Sequence, residues 1–182
     1  MKVWILRLDH RLIRDSRTST HLLLVARAFG ANRMLYTGRV DKALEERVQK
    51  VVDDWGGSFS TEYCNDWKSV VKEWKINGGE IIHLTMYGLP IQKVIEKIRL
   101  SQKHKLVVVG GSKVPSEMYE IANWNVSITS QPHSEIAALS VFLHEFFEGK
   151  ELIENFDGAK MKIVPQKQGK KIITANEIKY PL

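Results

Sequence analysis

Short apolar runs alternate with stretches of helical periodicity from residue 2 to residue 147, and this alternation constrains the fold more than any other property of the chain. Lys2 to Leu8, Arg33 to Tyr36, Ser58 to Tyr63, Glu80 to Thr85, Lys105 to Val109 and Asn125 to Thr129 read as strands. The first helix between them is capped by Thr18, Ser19 or Thr20 and runs through Ala28 to stop near Gly30. The second is capped by Asp41 and ends at Gly56-Gly57, and the third spans Asp66 to Ile76 before Gly78-Gly79. A turn at Met86-Tyr87-Gly88 leads to Pro90 at a first helical position and a helix over Ile91 to Leu100. Pro115 opens a helix to Ala122, and the last helix runs from Ser134 to about Phe147. Strands joined by helices are joined in parallel, so the expected fold is α/β, a parallel sheet with helices on both faces. Lys105–Val109 is a continuous apolar run, the mark of a central strand buried on both faces.

The texture changes at Gly149. Lys160–Val164 and Lys171–Thr174 alternate around Pro165-Gln166-Lys167-Gln168-Gly169, which reads as a β-hairpin with a lysine-rich tip. The division is therefore a main domain at 1–148 and a C-terminal β-hairpin extension at 149–182. With 43% hydrophobic and 26% charged residues the chain is globular rather than disordered. Its formal net charge of +6 favours a polyanionic partner such as RNA. Cys64 is the one cysteine, which excludes an intrachain disulfide and a thiolate metal cluster; it reads as a buried or half-buried thiol after a strand. The six histidines are scattered, so no metal is expected. The N-terminus is too short for a signal h-region and no stretch approaches a membrane span, so a soluble, cytoplasmic protein with no membrane partner is expected.

Several chemistries are missing from the motifs. Leu8-Asp9-His10-Arg11-Leu12 has no glycine, so the first strand does not open into a dinucleotide-binding turn. There is no Walker A sequence, no Gly-x-Ser-x-Gly elbow and no His-Glu-x-x-His helix. Three strand ends in the second half of the chain are unusual: Leu84-Thr85-Met86-Tyr87-Gly88, Val109-Gly110-Gly111-Ser112-Lys113, and Thr129-Ser130-Gln131-Pro132-His133-Ser134. Each places small or polar residues where the backbone can approach a ligand, and open α/β sheets bind ligands at such strand ends. Any one of them is explained as a tight turn. Together they point to one pocket for a small molecule. The second constellation is Arg7, Arg11, Arg14 and Arg17, with Arg27, His10 and His21. Arginine forks match phosphate geometry and keep their charge, and no lysine shares the segment, so phosphate contact is the reading. Lys160, Lys162, Lys167, Lys170 and Lys171 could extend that track or simply be solvated.

These residues carry a resemblance over nearly the whole chain. Leu6-Arg7-Leu8-Asp9-His10-Arg11 with Arg14-Asp15, Arg17 through Ala31, Trp55-Gly56-Gly57-Ser58-Phe59 and His83-Leu84-Thr85-Met86-Tyr87-Gly88 belong to it. So do Val107-Val108-Val109-Gly110 with Lys113-Val114-Pro115, Asn125-Val126, Gln131-Pro132-His133-Ser134-Glu135 and Ala159 through Pro165. The chain resembles the archaeal tRNA cytidine-56 2′-O-methyltransferases of the SpoU–TrmD (SPOUT) superfamily. It departs from their pattern at Gly111-Ser112 and at Thr129-Ser130.

The resemblance implies a C-terminal deep trefoil knot, a homodimer, and transfer of a methyl group from S-adenosylmethionine to the ribose 2′-hydroxyl of cytidine 56 in tRNA. It implies cofactor contacts at Leu84, at Gly110, Gly111, Ser112, Lys113 and Val114, and at Ile128, Thr129, Ser130, Gln131, Pro132, His133, Ser134 and Glu135. The catalytic arginine is open between Arg17 and Arg27, with Arg14 behind them. Two other functions stay open at this point. A non-enzymatic RNA-binding module would use the arginines and not the loops, and a methyltransferase of the same superfamily could act on another RNA ribose.

Overall fold

The computed structural model describes residues 1–111, 113–175 and 177. Six strands form one sheet: β1 (Val3–His10), β2 (Arg33–Gly38), β3 (Ser60–Tyr63), β4 (Glu80–Pro90), β5 (Lys105–Val109) and β6 (Trp124–Ser127). Their order is β3-β2-β1-β5-β4-β6, and every pairing is parallel. The helices are α1 (Ser16–Ala28), α2 (Lys42–Trp55), α3 (Trp67–Ile76), α4 (Ile91–Leu100), α5 (Ser116–Ile121) and α6 (Glu135–Phe147). The expected α/β class and the parallel sheet are both present.

Strand periodicity divides the core in two. In β1, Val3 and Ile5 face one side, where α1, α2, α4 and α6 pack through residues such as Leu22, Leu44, Ile95 and Phe142. Leu6 and Leu8 face the other, with Val71 of α3 and Met118 of α5. In β5, Leu106 and Val108 join the second cluster, and Val107 and Val109 the first. Full burial of one such side chain contributes about 1.5–3 kcal/mol, so this four-residue run is a main anchor of the sheet. β5 begins on Lys105, which is fully buried. Its ammonium donates to Glu80 at 2.6 Å and to the Ser101 carbonyl at 2.7 Å.

Three helices start as the sequence indicates. The Asp41 carboxylate accepts from the Leu44 amide, Asp66 accepts from Lys68 and Ser69, and the Ser134 hydroxyl accepts from Ile136. Two expected starts are corrected. Helix α1 begins at Ser16, before Thr18, Ser19 and Thr20, because Ser19 is buried and bound to His10 while Thr20 donates back to the Ser16 carbonyl. Met86-Tyr87-Gly88 is not a turn but part of β4, which runs on to Pro90, so Pro90 is the cap of α4 and not its first residue. The pairing of β4 with β6 shifts register here: Val126 faces Leu84 and then Leu89. A β-carbon on Gly88 would lie 2.5 Å from the backbone of Asn125 and Val126, so only glycine fits this approach.

Beyond α6 a 3-10 turn at Lys150–Ile153 leads to an antiparallel hairpin of β7 (Met161–Val164) and β8 (Lys171–Thr174). The connecting segment is tied to the end of α2. Gly57 donates to the Asp157 carbonyl at 2.8 Å and Lys160 to the Asp54 carbonyl at 3.0 Å. Cys64 is half-buried, and burial beside Glu62 and Asp66 pushes its thiol up to about 11. Among the described residues no helix is long and apolar enough to cross a membrane, and no group of three or more metal-binding side chains occurs.

Candidate active site

The C-terminal ends of β4, β5 and β6 enclose a cavity of about 310 Å³. Leu84, Thr85, Met86 and Tyr87 line it from the first strand end, Gly110, Gly111 and Val114 from the second, and Ile128, Pro132, His133 and Glu135 from the third. The three ends singled out in the sequence thus meet in one place. A β-carbon on Gly110 would overlap the Val114 side chain, which is itself part of the wall, so the bare backbone keeps this space open. The third loop is self-braced: Gln131 donates to the Thr129 hydroxyl, and the His133 ring lies 2.7 Å from the Gln131 carbonyl.

Of the expected contact residues, Leu84, Gly110, Gly111, Val114, Ile128, Pro132, His133 and Glu135 line the cavity. Lys113, Thr129, Ser130, Gln131 and Ser134 stand in the same loops without lining it, and Ser112 lies outside the described residues. His83 and Tyr119 also line it. Sequence reasoning assigned them no role, although His83 opens one of the quoted motifs. His83 is fully buried, with its ring edge-on to Tyr119 at 4.6 Å. Asn125 donates its amide to the Tyr119 carbonyl at 2.7 Å, which turns its oxygen toward His83 Nδ1 at 2.9 Å. His83 therefore carries its proton on Nδ1, and Nε2 is a buried acceptor with no partner among the described residues. Burial holds its pKa below the ordinary value, partly offset by Asn125.

The arginine cluster separates into distinct roles. Arg7, within β1, is fully buried and forms an ion pair with Glu135 at 3.1 Å. Burial lowers its pKa, while Glu135 and Asp15 push it back up. Arg11 pairs with Asp15 at 2.8 Å. Arg27 is buried, donates to the Gly56 carbonyl at 2.7 Å, and faces away from the cavity lining. Arg14 and Arg17 are exposed and pair with no carboxylate of a described residue. His10 is buried, its Nδ1 2.8 Å from the Ser19 hydroxyl and its Nε2 3.3 Å from Asp41. That contact joins β1, α1 and the cap of α2, and so fixes the helix that presents Arg17. A cavity whose one charged lining residue among those described is Glu135 thus lies at the same end of the sheet as an exposed cationic edge.

The family model described as tRNA ribose 2′-O-methyltransferase, aTrm56, matches residues 55–173. The chain is 50% identical over 171 residues to the tRNA (cytidine(56)-2′-O)-methyltransferase of Methanosphaera stadtmanae, spanning 94% of this chain and 98% of that one. It is 47% identical over 181 residues to the protein of the same name from Methanocaldococcus jannaschii, spanning 98% and 100%. Among solved structures it is similar to the A. aeolicus TrmH/SpoU tRNA modifying enzyme, with a TM-score of 0.59 and 14% identity over 83% of this chain and 76% of that one. It is also similar to the SpoU methyltransferase AviRb from Streptomyces viridochromogenes in complex with the cofactor AdoMet. There the TM-score is 0.61 at 13% identity, over 81% of this chain and 57% of that one. At such identities the structural likeness concerns the fold alone.

Proposed function

The chain belongs to the tRNA ribose 2′-O-methyltransferase family, and from that premise we propose that it methylates the 2′-hydroxyl of cytidine 56 in tRNA with S-adenosylmethionine as donor. The observation that carries this reading is the identity of about half the residues over nearly full length to proteins of that named activity. A non-enzymatic RNA-binding module has no use for a cavity assembled from three strand ends.

The cavity suits the donor. Its walls combine apolar side chains and open backbone with polar groups of Thr85, Tyr119 and His133, His83 Nε2 offers an acceptor for an adenosine N–H or hydroxyl, and Glu135 offers a carboxylate. When bound, S-adenosylmethionine supplies a methyl group on a positively charged sulfur. The work left to the chain is to hold the RNA and remove a proton. Arg17 stands exposed on α1 and grips a backbone phosphate next to the target ribose; Arg14 adds a second phosphate contact. Arginine stays protonated and so is no base. The 2′-hydroxyl proton passes to an oxygen of the gripped phosphate, which Arg17 holds in place so that the ribose is oriented for attack. Positioning then supplies most of the acceleration.

The active protein is a cytoplasmic homodimer whose C-terminal strands thread a trefoil knot. Support for the dimer comes from exposed apolar side chains beside the cavity, Tyr87 and Leu89 on β4 and Val141 on α6. Support for the knot comes from β6 lying outside β4 while α6 returns to pack on α1 and α4. The activity is tested by incubating purified protein with unmodified tRNA transcript and the donor, then digesting and mapping the product by mass spectrometry. The expected result is one methyl group on the ribose of cytidine 56. A methyl group on a base, or on another ribose, overturns the assignment.

A further inference from the structure

Among the described residues that line the cavity, Glu135 is the one Asp, Glu, Lys or Arg. Its Oε1 is bonded by Arg7 Nη2 at 3.1 Å. Arg7 is wholly buried, and among the described residues its Nε and Nη1 have no hydrogen-bond partner. A buried guanidinium with two unsatisfied groups is costly for a fold to keep. An apolar side chain on β1 would fill the same place without that cost. Arg7 also touches the second cavity loop. It pairs in register with Val109, the residue before Gly110, and a β-carbon on Gly111 would sit 3.5 Å from its Nη1. One side chain therefore braces two of the three cavity loops and aims a carboxylate into the space between them. The positive end of this pair is enclosed in protein, while Glu135 is 30% exposed, so the cavity meets the negative end.

We propose that Glu135 is the counter-charge by which the cavity distinguishes the methyl donor from its demethylated product, and that Arg7 is the positioning residue that holds it there. The inference rests on the methyl-donor reading given above. The donor carries a sulfonium, an ammonium and a carboxylate, a net charge of +1 by its chemistry. The product has lost the sulfonium charge and is neutral overall. Its shape is otherwise nearly the same, so shape discriminates poorly and charge discriminates well. A fixed carboxylate beside the bound ligand attracts the first more than the second. Once the methyl group has moved, that attraction falls and the product leaves more readily. A purely structural ion pair, joining β1 to α6, would change stability and affect both ligands alike.

The test is calorimetric titration of the full-length protein with S-adenosylmethionine and, separately, with S-adenosylhomocysteine. Glu135→Gln keeps the size of the side chain at a partly exposed helix start and will fold. It should reduce the ratio of donor to product affinity on the order of tenfold, chiefly by weakening the donor. Arg7→Gln frees Glu135 to turn toward water and should narrow the same ratio, with Arg7→Lys restoring part of it. Far-UV circular dichroism identifies a folded Arg7→Gln protein, and if that variant does not fold, Glu135→Gln decides the matter alone. Equal weakening of both ligands in Glu135→Gln overturns the counter-charge, and an unchanged ratio in folded Arg7→Gln overturns the positioning role. Failure of the unaltered protein to bind either ligand would instead defeat the methyl-donor reading itself.

Discussion

The Arg27 guanidinium lies 4.5 Å from the centre of the Phe156 ring, clamping the C-terminal extension against α1. The same group donates to the Gly56 carbonyl, so it joins α1, the end of α2 and the extension at one point. Arg17, on the same helix, makes no such contact and stands in solvent. Two arginines that the sequence offers for one role thus have separate physical duties. Arg27→Ala should cost about 2 kcal/mol, from a buried charge-assisted hydrogen bond and a cation–π contact, and lower Tm by roughly 4–8 °C. Arg17→Ala should leave Tm within about 1–2 °C, as expected of an exposed substitution, while methyl transfer falls about 100-fold or more. Donor affinity should be unchanged in the second variant. Thermal melts and single-turnover assays on both proteins check the split, and a loss of turnover in Arg27→Ala with unaltered stability would reverse the assignment.

Gly110 gives the sharpest test of the cavity. A side chain there must displace Val114 from the wall or occupy the space itself. Gly110→Val should weaken S-adenosylmethionine binding by at least about 100-fold, through overlap rather than lost contacts, and cost on the order of 1–3 kcal/mol of stability. Calorimetry with dichroism separates the two effects. A folded Gly110→Val protein with ordinary donor affinity would place the donor elsewhere.

His83 gives the fold a pH dependence whose sign is set by burial. Its folded pKa lies below the ordinary value of 6.5. The unfolded chain therefore takes up this proton first as pH falls, and acid favours unfolding. The contribution of neutral His83 is complete above about pH 6.5 and is lost as pH falls from there toward the folded pKa, at up to about 1.4 kcal/mol per pH unit. The His83→Gln variant, compared with the unaltered protein at pH 7.5 and pH 5.5, should lose less stability on acidification. Parallel Tm curves for the two proteins would show that burial does not depress the His83 pKa in the fold.

Much of this architecture is legible because local chemistry and tertiary structure agree. Asp41 caps a helix as its side chain predicts, Asp66 and Ser134 stand at expected helix starts and cap them, and the strand Lys105–Val109 has the bounds its apolar run indicates. The misread positions are those at which a distant partner decides. Ser19 is a natural cap, but His10 claims its hydroxyl from a neighbouring strand. Gly88 reads as a turn, yet its smallness answers to Asn125, 37 positions away by number and adjacent in the sheet. Lys105 within an apolar run is explained by Glu80 at the start of another strand. Arg7 joins the arginine cluster in sequence, but strand alternation turns it inward while Arg14 and Arg17 face out. Spacing along a chain gives the face only once the neighbouring elements are known.

The buried pair of Lys105 and Glu80 carries its own prediction. Glu80→Gln would leave a buried ammonium without its counter-charge and should cost about 3–5 kcal/mol, the usual penalty for breaking one side of such a pair. The double substitution Glu80→Gln with Lys105→Met removes the unpaired charge and should recover most of that loss. Chemical denaturation of the three proteins tests the coupling, and equal losses in the single and double variants would show that the ion pair is not the relevant interaction.

Salt provides the means to count the phosphates that the chain grips. Arg14 and Arg17 are exposed at the start of α1, and Lys160, Lys162, Lys167, Lys170 and Lys171 are exposed on and beside the hairpin. Each phosphate neutralised on binding releases condensed counterions, so the logarithm of affinity falls with the logarithm of salt in proportion to the number of contacts. Binding to tRNA should therefore weaken steeply between low and moderate salt. Arg14→Ala and Arg17→Ala should each make the slope shallower by about 0.7–0.9, one contact apiece. Neutralising Lys167, Lys170 and Lys171 together asks the same of the hairpin. A shallower slope by about 2 or more would make it part of the RNA track, whereas an unchanged slope would show those lysines to be a solvated surface. Filter-binding titrations across a salt series supply the measurement. Unchanged slopes in both arginine variants would remove α1 from the RNA interface and with it the phosphate clamp.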